Sequence, residues 1–383
     1  MWVLQVCHSY YPPFLDCARQ GSQLFKGTPF KVITVYLTGQ PDADVASKTD
    51  SDEVVFFGYP SHKVGGLKLS AIRKLRSVVS NKQVAFCFTH RAKPTYVALL
   101  ATDLPVISLR HNYDDFKRWG RRMLVNVFRK RVLLLGVSNS VRDDMRKQLP
   151  CWPQEKIMTL YNHIDVDAMQ AEQVTKKEAR AHLQLPQNAW IVGNVGRLHR
   201  DKDQATLIRG FHAALPSLPS DGLLVIMGAG PLQYELQALV SELDLKGRVL
   251  FTGNVANARR YFKAFDVFVL SSDHEPFGMV LLEAMAAGLP LICSNSGGGS
   301  EVVSGIGDLF PLGDAVELSV CLLRSYAGID KLDASAIDHH LRMHFSDESI
   351  RQKFWQLPLL QQWALKCQCQ PGHDPTSKER SSV

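Results

Sequence analysis

Short apolar runs and longer amphipathic stretches alternate along this chain. In the first half WVLQVC (2–7), KVITVYL (31–37), VVFFG (54–58), VAFCFTH (84–90), PVISLRH (105–111) and VLLLGVS (132–138) are rich in apolar, β-branched and aromatic residues. Runs of that length and composition predict buried strands rather than helices. Helical patterns such as LSAIRKLRSVVSNK lie between several of them. The alternation predicts a parallel sheet covered on both faces. A polar stretch at 163–188, rich in Lys, Gln and Ala, interrupts the pattern. It then restarts with WIVGNVG (190–196), GLLVIMG (222–228), RVLFTG (248–253), VFVLSS (267–272) and LPLICSN (289–295). The expected class is α/β, with two doubly wound domains over 1–163 and 164–345. A C-terminal helix over 346–366 is expected to return to the first domain, and a disordered tail over 367–383 to follow. In such pairs the ligand sits at the carboxyl ends of strands, in the cleft between domains.

Composition changes this picture little. The chain has 383 residues, 45% apolar and 21% charged, which suits two soluble cores. The net charge of +7 is modest, and solubility accounts for it as well as an anionic partner does. The eight cysteines form no regular framework and are expected to be reduced. Cys367, Cys369 and His373 stand close together in the tail, but a zinc site needs a second ligand pair, so no metal is expected. No run approaches the about 18 apolar residues of a membrane span, and MWVLQVC lacks the basic start of a signal peptide. The expected location is cytoplasmic, with peripheral attachment to the inner face of the cytoplasmic membrane as an extension.

The candidate chemistry lies in the second half. In VGRLHRDKDQATL, Arg197 follows a strand and Lys202 stands just before a helix. A forked guanidinium and a point ammonium at a strand end suit a diphosphate, and a solvated turn is the alternative. VIMGAGPL has a Gly-x-Gly turn, a weak fingerprint that a tight turn explains equally well. HEPFGMVLLEAMAAGLP (274–290) places Glu275 before a helix and Glu283 within it. Gly278 lets backbone approach a ligand, and a helix starting about Met279 turns its positive end to the same loop. Glu283 sits in a helix apolar on most sides, so its carboxylate needs a partner. A carboxylate accepts two hydroxyls at once, as a ribose or sugar diol offers. SNSGGGSEVV (294–303) ends a strand and opens a helix in the same way.

This order of motifs resembles the retaining glycosyltransferases of family 4, which have the GT-B fold: two Rossmann-like doubly wound domains facing a cleft. The resemblance covers nearly the whole chain and is strongest over 190–305. It implies a nucleotide-sugar donor, held mainly by the second domain, and a glycan or lipid-linked acceptor. It further implies that Arg197 and Lys202 hold the diphosphate and Glu283 the ribose hydroxyls. Glu275 would lie beside the 3- and 4-hydroxyls of the donor sugar, and the backbone of Phe277, Gly278 and Met279 would touch sugar and phosphates. RVLFTG would flank the base. His111 matches a histidine near the reacting carbon that hydrogen-bonds the donor sugar, and His90, with Arg91 at the preceding strand end, is a candidate acceptor or membrane contact. YNHID (161–165) matches the family's hinge motif with His163 in place of glycine. One departure stands out: the family's Gly-Gly loop after the first strand is replaced by Leu15-Asp16-Cys17-Ala18.

FKRWGRRMLVNVFRKR (116–131) carries seven cations and no acid, among them Arg121, Arg122, Arg129 and Lys130. Trp119, Met123, Leu124, Val127 and Phe128 lie between them. Such a segment suits an anionic membrane surface or a phosphorylated acceptor, and a solvated face over a core-facing stripe is the alternative. No module for nucleic acid is recognisable. The expectation is a metal-independent, cofactor-free hexosyltransferase of cell-surface polysaccharide or lipopolysaccharide synthesis. UDP is the favoured carrier, with GDP and ADP behind it. A non-catalytic scaffold and another GT-B enzyme, such as an epimerase or phosphorylase, are the rivals.

Overall fold

The computed structural model describes residues 1–11, 14–62, 64–329 and 333–368, with side chains in the last helix to Trp363. The first sheet contains β1 (Trp2–Cys7), β2 (Lys31–Thr38), β3 (Glu53–Tyr59), β4 (Val84–His90), β5 (Val106–Arg110), β6 (Val132–Gly136) and β7 (Ile157–Thr159). The second contains β8 (Ile191–Val195), β9 (Leu223–Met227), β10 (Val249–Gly253), β11 (Val267–Leu270), β12 (Leu291–Ser294) and β13 (Asp308–Phe310). Their orders are β3-β2-β1-β4-β5-β6-β7 and β10-β9-β8-β11-β12-β13, with every pair parallel. The eleven runs picked out above correspond to eleven of these strands. β7 and β13 were not anticipated, because three-residue edge strands carry too little pattern to distinguish them from loop.

Apolar side chains fill both faces of each sheet. Leu4, Val6, Ile33 and Val35 lie in one cluster of the first domain, and Val192, Leu224, Ile226 and Val269 in one of the second. Both sheets reverse their strand order between two central neighbours, β1 and β4 in one and β8 and β11 in the other. A crevice opens at such a reversal because the connecting helices leave on opposite faces. The loops after these four strands carry His8, Arg91, Arg197 and Glu275.

The chain crosses between domains twice. Ile164 bridges Ser346, so the two crossings run side by side. The helix Asp347–Trp355 then lies on the first domain: the Trp355 indole donates to the Leu24 carbonyl at 2.8 Å, and Phe354 meets Phe25 and Phe88 edge-on. His163, at the hinge, bonds Asp347 at 2.7 Å, and Arg19 meets the same carboxylate at 2.9 Å. Burial raises Asp347, but the His163 bond and the Arg19 charge outweigh it and hold the group down to about 2. Burial in turn lowers His163. A neutral imidazole donating to Asp347, with Arg19 supplying the positive charge, satisfies all three. Residues 369–383 and the Cys367 side chain, and so the tail and its cysteine–histidine grouping, lie outside the described residues.

Candidate active site

On the second domain Lys202 closes a short 3₁₀ turn, Arg200–Lys202, after β8. Its ammonium meets the Glu275 carboxylate at 2.5 Å, and Glu275 is almost fully buried. Arg197 stands apart from them: its side chain is 63% exposed and faces Asp201 at 3.6 Å. One of the two cations is thus paired with a buried acid and the other is exposed. Gly278 is the N-cap of the helix Met279–Ala286 at φ 96°, a conformation that glycine adopts without a steric penalty. Phe277 is buried against Tyr161 and Phe345 at the hinge, so only its backbone is left to face the cleft. The Met279 sulfur crosses to the first domain, 3.7 Å from the Gln20 amide.

Glu283 opens into a cavity of about 370 Å³ between the domains, lined also by Asp16, Arg19, Gln20, Glu172, Arg259 and Met279. Burial pushes its carboxyl up to about 7; Arg259 opposes the shift while Asp16 and Glu172 add to it. Arg259 is committed to Glu172 at 2.7 Å. Glu283 has no ion-pair partner among the described residues, so a ligand offering hydroxyls is what its carboxylate lacks.

On the first domain a relay leads to the cleft. The Gln5 amide nitrogen donates to the Ala18 carbonyl at 3.0 Å and lies 2.8 Å from Thr34 Oγ1, which leaves its oxygen facing His90 Nε2 at 3.3 Å. His90 Nδ1 lies 3.2 Å from His111 Nε2, and His111 Nδ1 lies 3.9 Å from Cys17 Sγ. Burial pulls His90 down to about 3 and His111 well below the usual histidine range. Both rings are therefore neutral, each with one donor. Gln5 accepts from His90 Nε2–H, His90 Nδ1 accepts from His111 Nε2–H, and His111 is left with Nδ1 as an acceptor on the Cys17 side. Burial also pushes the Cys17 thiol up to about 12, so it faces His111 as S–H.

The replaced Gly-Gly loop now has a physical description. Leu15-Asp16-Cys17-Ala18 forms the start of the helix Phe14–Gln23, with Cys17 at His111 and the Ala18 carbonyl on Gln5. Two further features serve the framework. A Cβ at Gly228 or Gly230 would come within 2.0 Å of the Gly196 carbonyl or 2.2 Å of the Leu198 carbonyl, so the Gly-x-Gly turn answers a backbone contact between strand ends. The Asn139 and Ser140 amides are received across the cleft by Glu301 at 2.8 and 2.7 Å, and Glu301 also accepts from Tyr161 at 2.9 Å. Tyr113 adds a second crossing, donating to the Glu275 carbonyl at 3.1 Å. Sequence reasoning passed over Gln5, Tyr113 and the Glu301 contacts. Only Gln5 carried a signal, as a polar residue inside an apolar strand.

Of the basic segment, Arg121 is taken by Asp115 at 2.6 Å, while Arg122, Arg129 and Lys130 are exposed. Among the described residues no three His, Cys, Asp or Glu side chains converge as a metal site requires, and no helix is long and apolar enough to cross a membrane.

Two family models match the chain: Glycosyltransferase Family 4 over residues 27–168 and Glycosyl transferases group 1 over residues 175–305. The lipopolysaccharide core biosynthesis glycosyltransferase LpsD of Rhizobium meliloti is 34% identical over 183 residues, 47% of this chain and 52% of that protein. An N-acetylgalactosaminyltransferase of Campylobacter jejuni, whose named acceptor is a diphospho-undecaprenol-linked sugar, is 28% identical over 61% of this chain and 63% of its own length. The chain thus aligns with between half and two thirds of these relatives. Among solved structures, a glycosyltransferase from Rickettsia africae superposes with a TM-score of 0.79 over 95% of this chain and 98% of its own, at 16% identity. The Anabaena HepE protein in complex with UDP and glucose does so with 0.71 over 92% and 97%, at 20% identity. These likenesses establish the fold as GT-B.

Proposed function

We propose that this chain, which belongs to the family 4 glycosyltransferases, moves a sugar from a nucleotide-sugar donor to a glycan or lipid-linked acceptor with retention at the anomeric carbon. The reading is carried by one observation: Glu283, with no ion-pair partner among the described residues, opens into the cavity between the domains, while Lys202 and Glu275 pair at neighbouring strand ends of the second domain and His111 stands at a strand end of the first. Glu283 takes the ribose hydroxyls. The diphosphate draws Lys202 from Glu275 and recruits Arg197 from the rim, and Glu275, freed, takes hydroxyls of the sugar. His111 Nδ1 accepts from another sugar hydroxyl in place of Cys17. The bond from the anomeric carbon to the diphosphate breaks with its electron pair on the leaving oxygen. The acceptor oxygen bonds on the same face, and its proton leaves with the diphosphate. Two cations and the positive end of the helix Met279–Ala286 stabilise that charge, so no metal is required. Relatives that bind UDP or serve lipopolysaccharide core synthesis favour a UDP-sugar and a cell-surface glycan.

A thermal-shift panel of UDP, GDP, ADP and CMP with their sugar conjugates, without metal, tests this. A ligand at 100 times its dissociation constant adds about 2.7 kcal/mol, a clear rise in Tm. Lys202→Ala and Glu283→Ala are expected to weaken the active diphosphate at least tenfold with the fold intact. No shift with any nucleotide would favour a scaffold without donor chemistry.

A further inference from the structure

Arg91 follows β4 at the strand-order reversal of the first sheet and is half-buried. β1 and β4 run side by side with Val6 against Thr89, so His8 and Arg91, two residues further along each, leave neighbouring strand ends together. The Arg91 guanidinium lies over the Phe14 ring, 4.3 Å from its centre, and its Nε is buried without a partner. Among the described residues no carboxylate lies within ion-pair distance of it. One strand over, Arg110 is fully buried and is met by Asp115 at 3.2 Å. His8 repeats the pattern: its Nδ1 is also buried without a partner. Lys93 stands exposed in the first turn of the helix Ala92–Ala101, whose start has no side-chain cap.

These groups act on one another. Burial, then Lys93 and Arg91, hold His8 down to about 4, so its ring is neutral and keeps one N–H to donate. Burial lowers Arg91 itself, against the opposing pull of Cys17 and Asp115. A half-buried guanidinium with no carboxylate in ion-pair reach is ready to take an anion in a forked, charge-assisted pair. The helix start adds its positive pole.

We propose that Arg91, Lys93 and His8 form an acceptor subsite for an anionic group, a phosphate or carboxylate carried on the glycan that receives the sugar. The subsite rests on the glycosyltransferase reading for its role but not for its chemistry. It lies on the first domain, whereas Arg197, Lys202 and Glu283 belong to the second. Arg91 supplies the fork, Lys93 a mobile charge and His8 an N–H donor. The contact would orient the acceptor hydroxyl towards the His111 side of the cleft.

The test measures binding of glucose 6-phosphate, glucuronate and glucose to the whole protein, with and without saturating UDP. Arg91→Gly suits it, because Arg91 has φ 70°, where glycine is unstrained, so the fold is expected to survive. Lys93→Ala, at an exposed position, is the second variant. Wild type is expected to bind one charged sugar at least tenfold more tightly than glucose, whether or not UDP is present. Which of the two binds separates phosphate from carboxylate. Arg91→Gly should abolish that preference and Lys93→Ala reduce it, each leaving UDP affinity within twofold. Displacement of the charged sugar by UDP, no preference over glucose, or a preference that survives Arg91→Gly would each overturn the subsite. Failure of UDP to bind, with the preference intact, would instead count against the donor reading.

Discussion

Glu283 is the residue whose chemistry depends most on its surroundings. Burial raises it to about 7, so near neutral pH it divides between acid and carboxylate. Its raised value favours the folded state at low pH, and that contribution is lost as pH rises through about 7. The carboxylate is the better acceptor for a diol, so affinity for a nucleoside diphosphate should rise as pH increases through the same value. Glu283→Gln should bind weakly and lack this rise. Comparing the two proteins across pH 6 to 8 removes the titration of the diphosphate itself, which both share; parallel profiles would take Glu283 out of the site. Glu283 was legible in the sequence because a carboxylate is out of place in an apolar helix. Its altered proton affinity was not, since the burial that raises it, to which Asp16 of the other domain adds, arises only when the domains meet.

The helix Trp119–Val127 shows how an element divides its faces. Leu124, Val125 and Phe128 turn inward to the core of the first domain. Trp119, Met123 and Val127, four residues apart, stand exposed beside Arg122, Arg129 and Lys130. An apolar stripe flanked by cations is the form that settles on an anionic bilayer, each cation adding about 1 kcal/mol near the surface. Neutralising Arg122, Arg129 and Lys130 together should release the protein from phosphatidylglycerol vesicles at low salt, read by co-flotation. Arg121, held by Asp115, should contribute less, and equal flotation of wild type and triple variant would refute membrane docking. The sequence showed the basic and apolar residues interleaved; which of them the domain consumes was decided by packing.

At the scale of the molecule, closure is set by contacts that no single segment announces. Glu301 caps the start of the helix Asn139–Gln148 from the opposite domain and takes the Tyr161 hydroxyl as well. Gly297 and Gly298 allow this approach: a Cβ at Gly298 would stand 2.9 Å from the Ser138 Cβ, and one at Gly297 2.8 Å from the Tyr113 hydroxyl. Glu301→Ala removes charged acceptors worth on the order of 2 kcal/mol each. Faster amide exchange at Asn139 and Ser140, with a larger radius of gyration in solution, is the expected result. Unchanged exchange at those two amides would show that the closed arrangement does not depend on Glu301.

Local pattern by itself determined the two parallel sheets, the strand ends at which chemistry gathers and the acids and cations of the second domain. Period and composition are properties of a few consecutive residues, and β-branched runs bounded by glycine admit few other structures. The tertiary structure alone decided what those groups meet. It joined Lys202 to Glu275 and Glu301 to two amides of the facing domain. It aligned Gln5, His90, His111 and Cys17, drawn from four separate segments, so that one imidazole nitrogen is left as an acceptor. Hydrogen-bond direction and burial act through space between residues far apart in the chain, so neither exists until the domains have folded and closed.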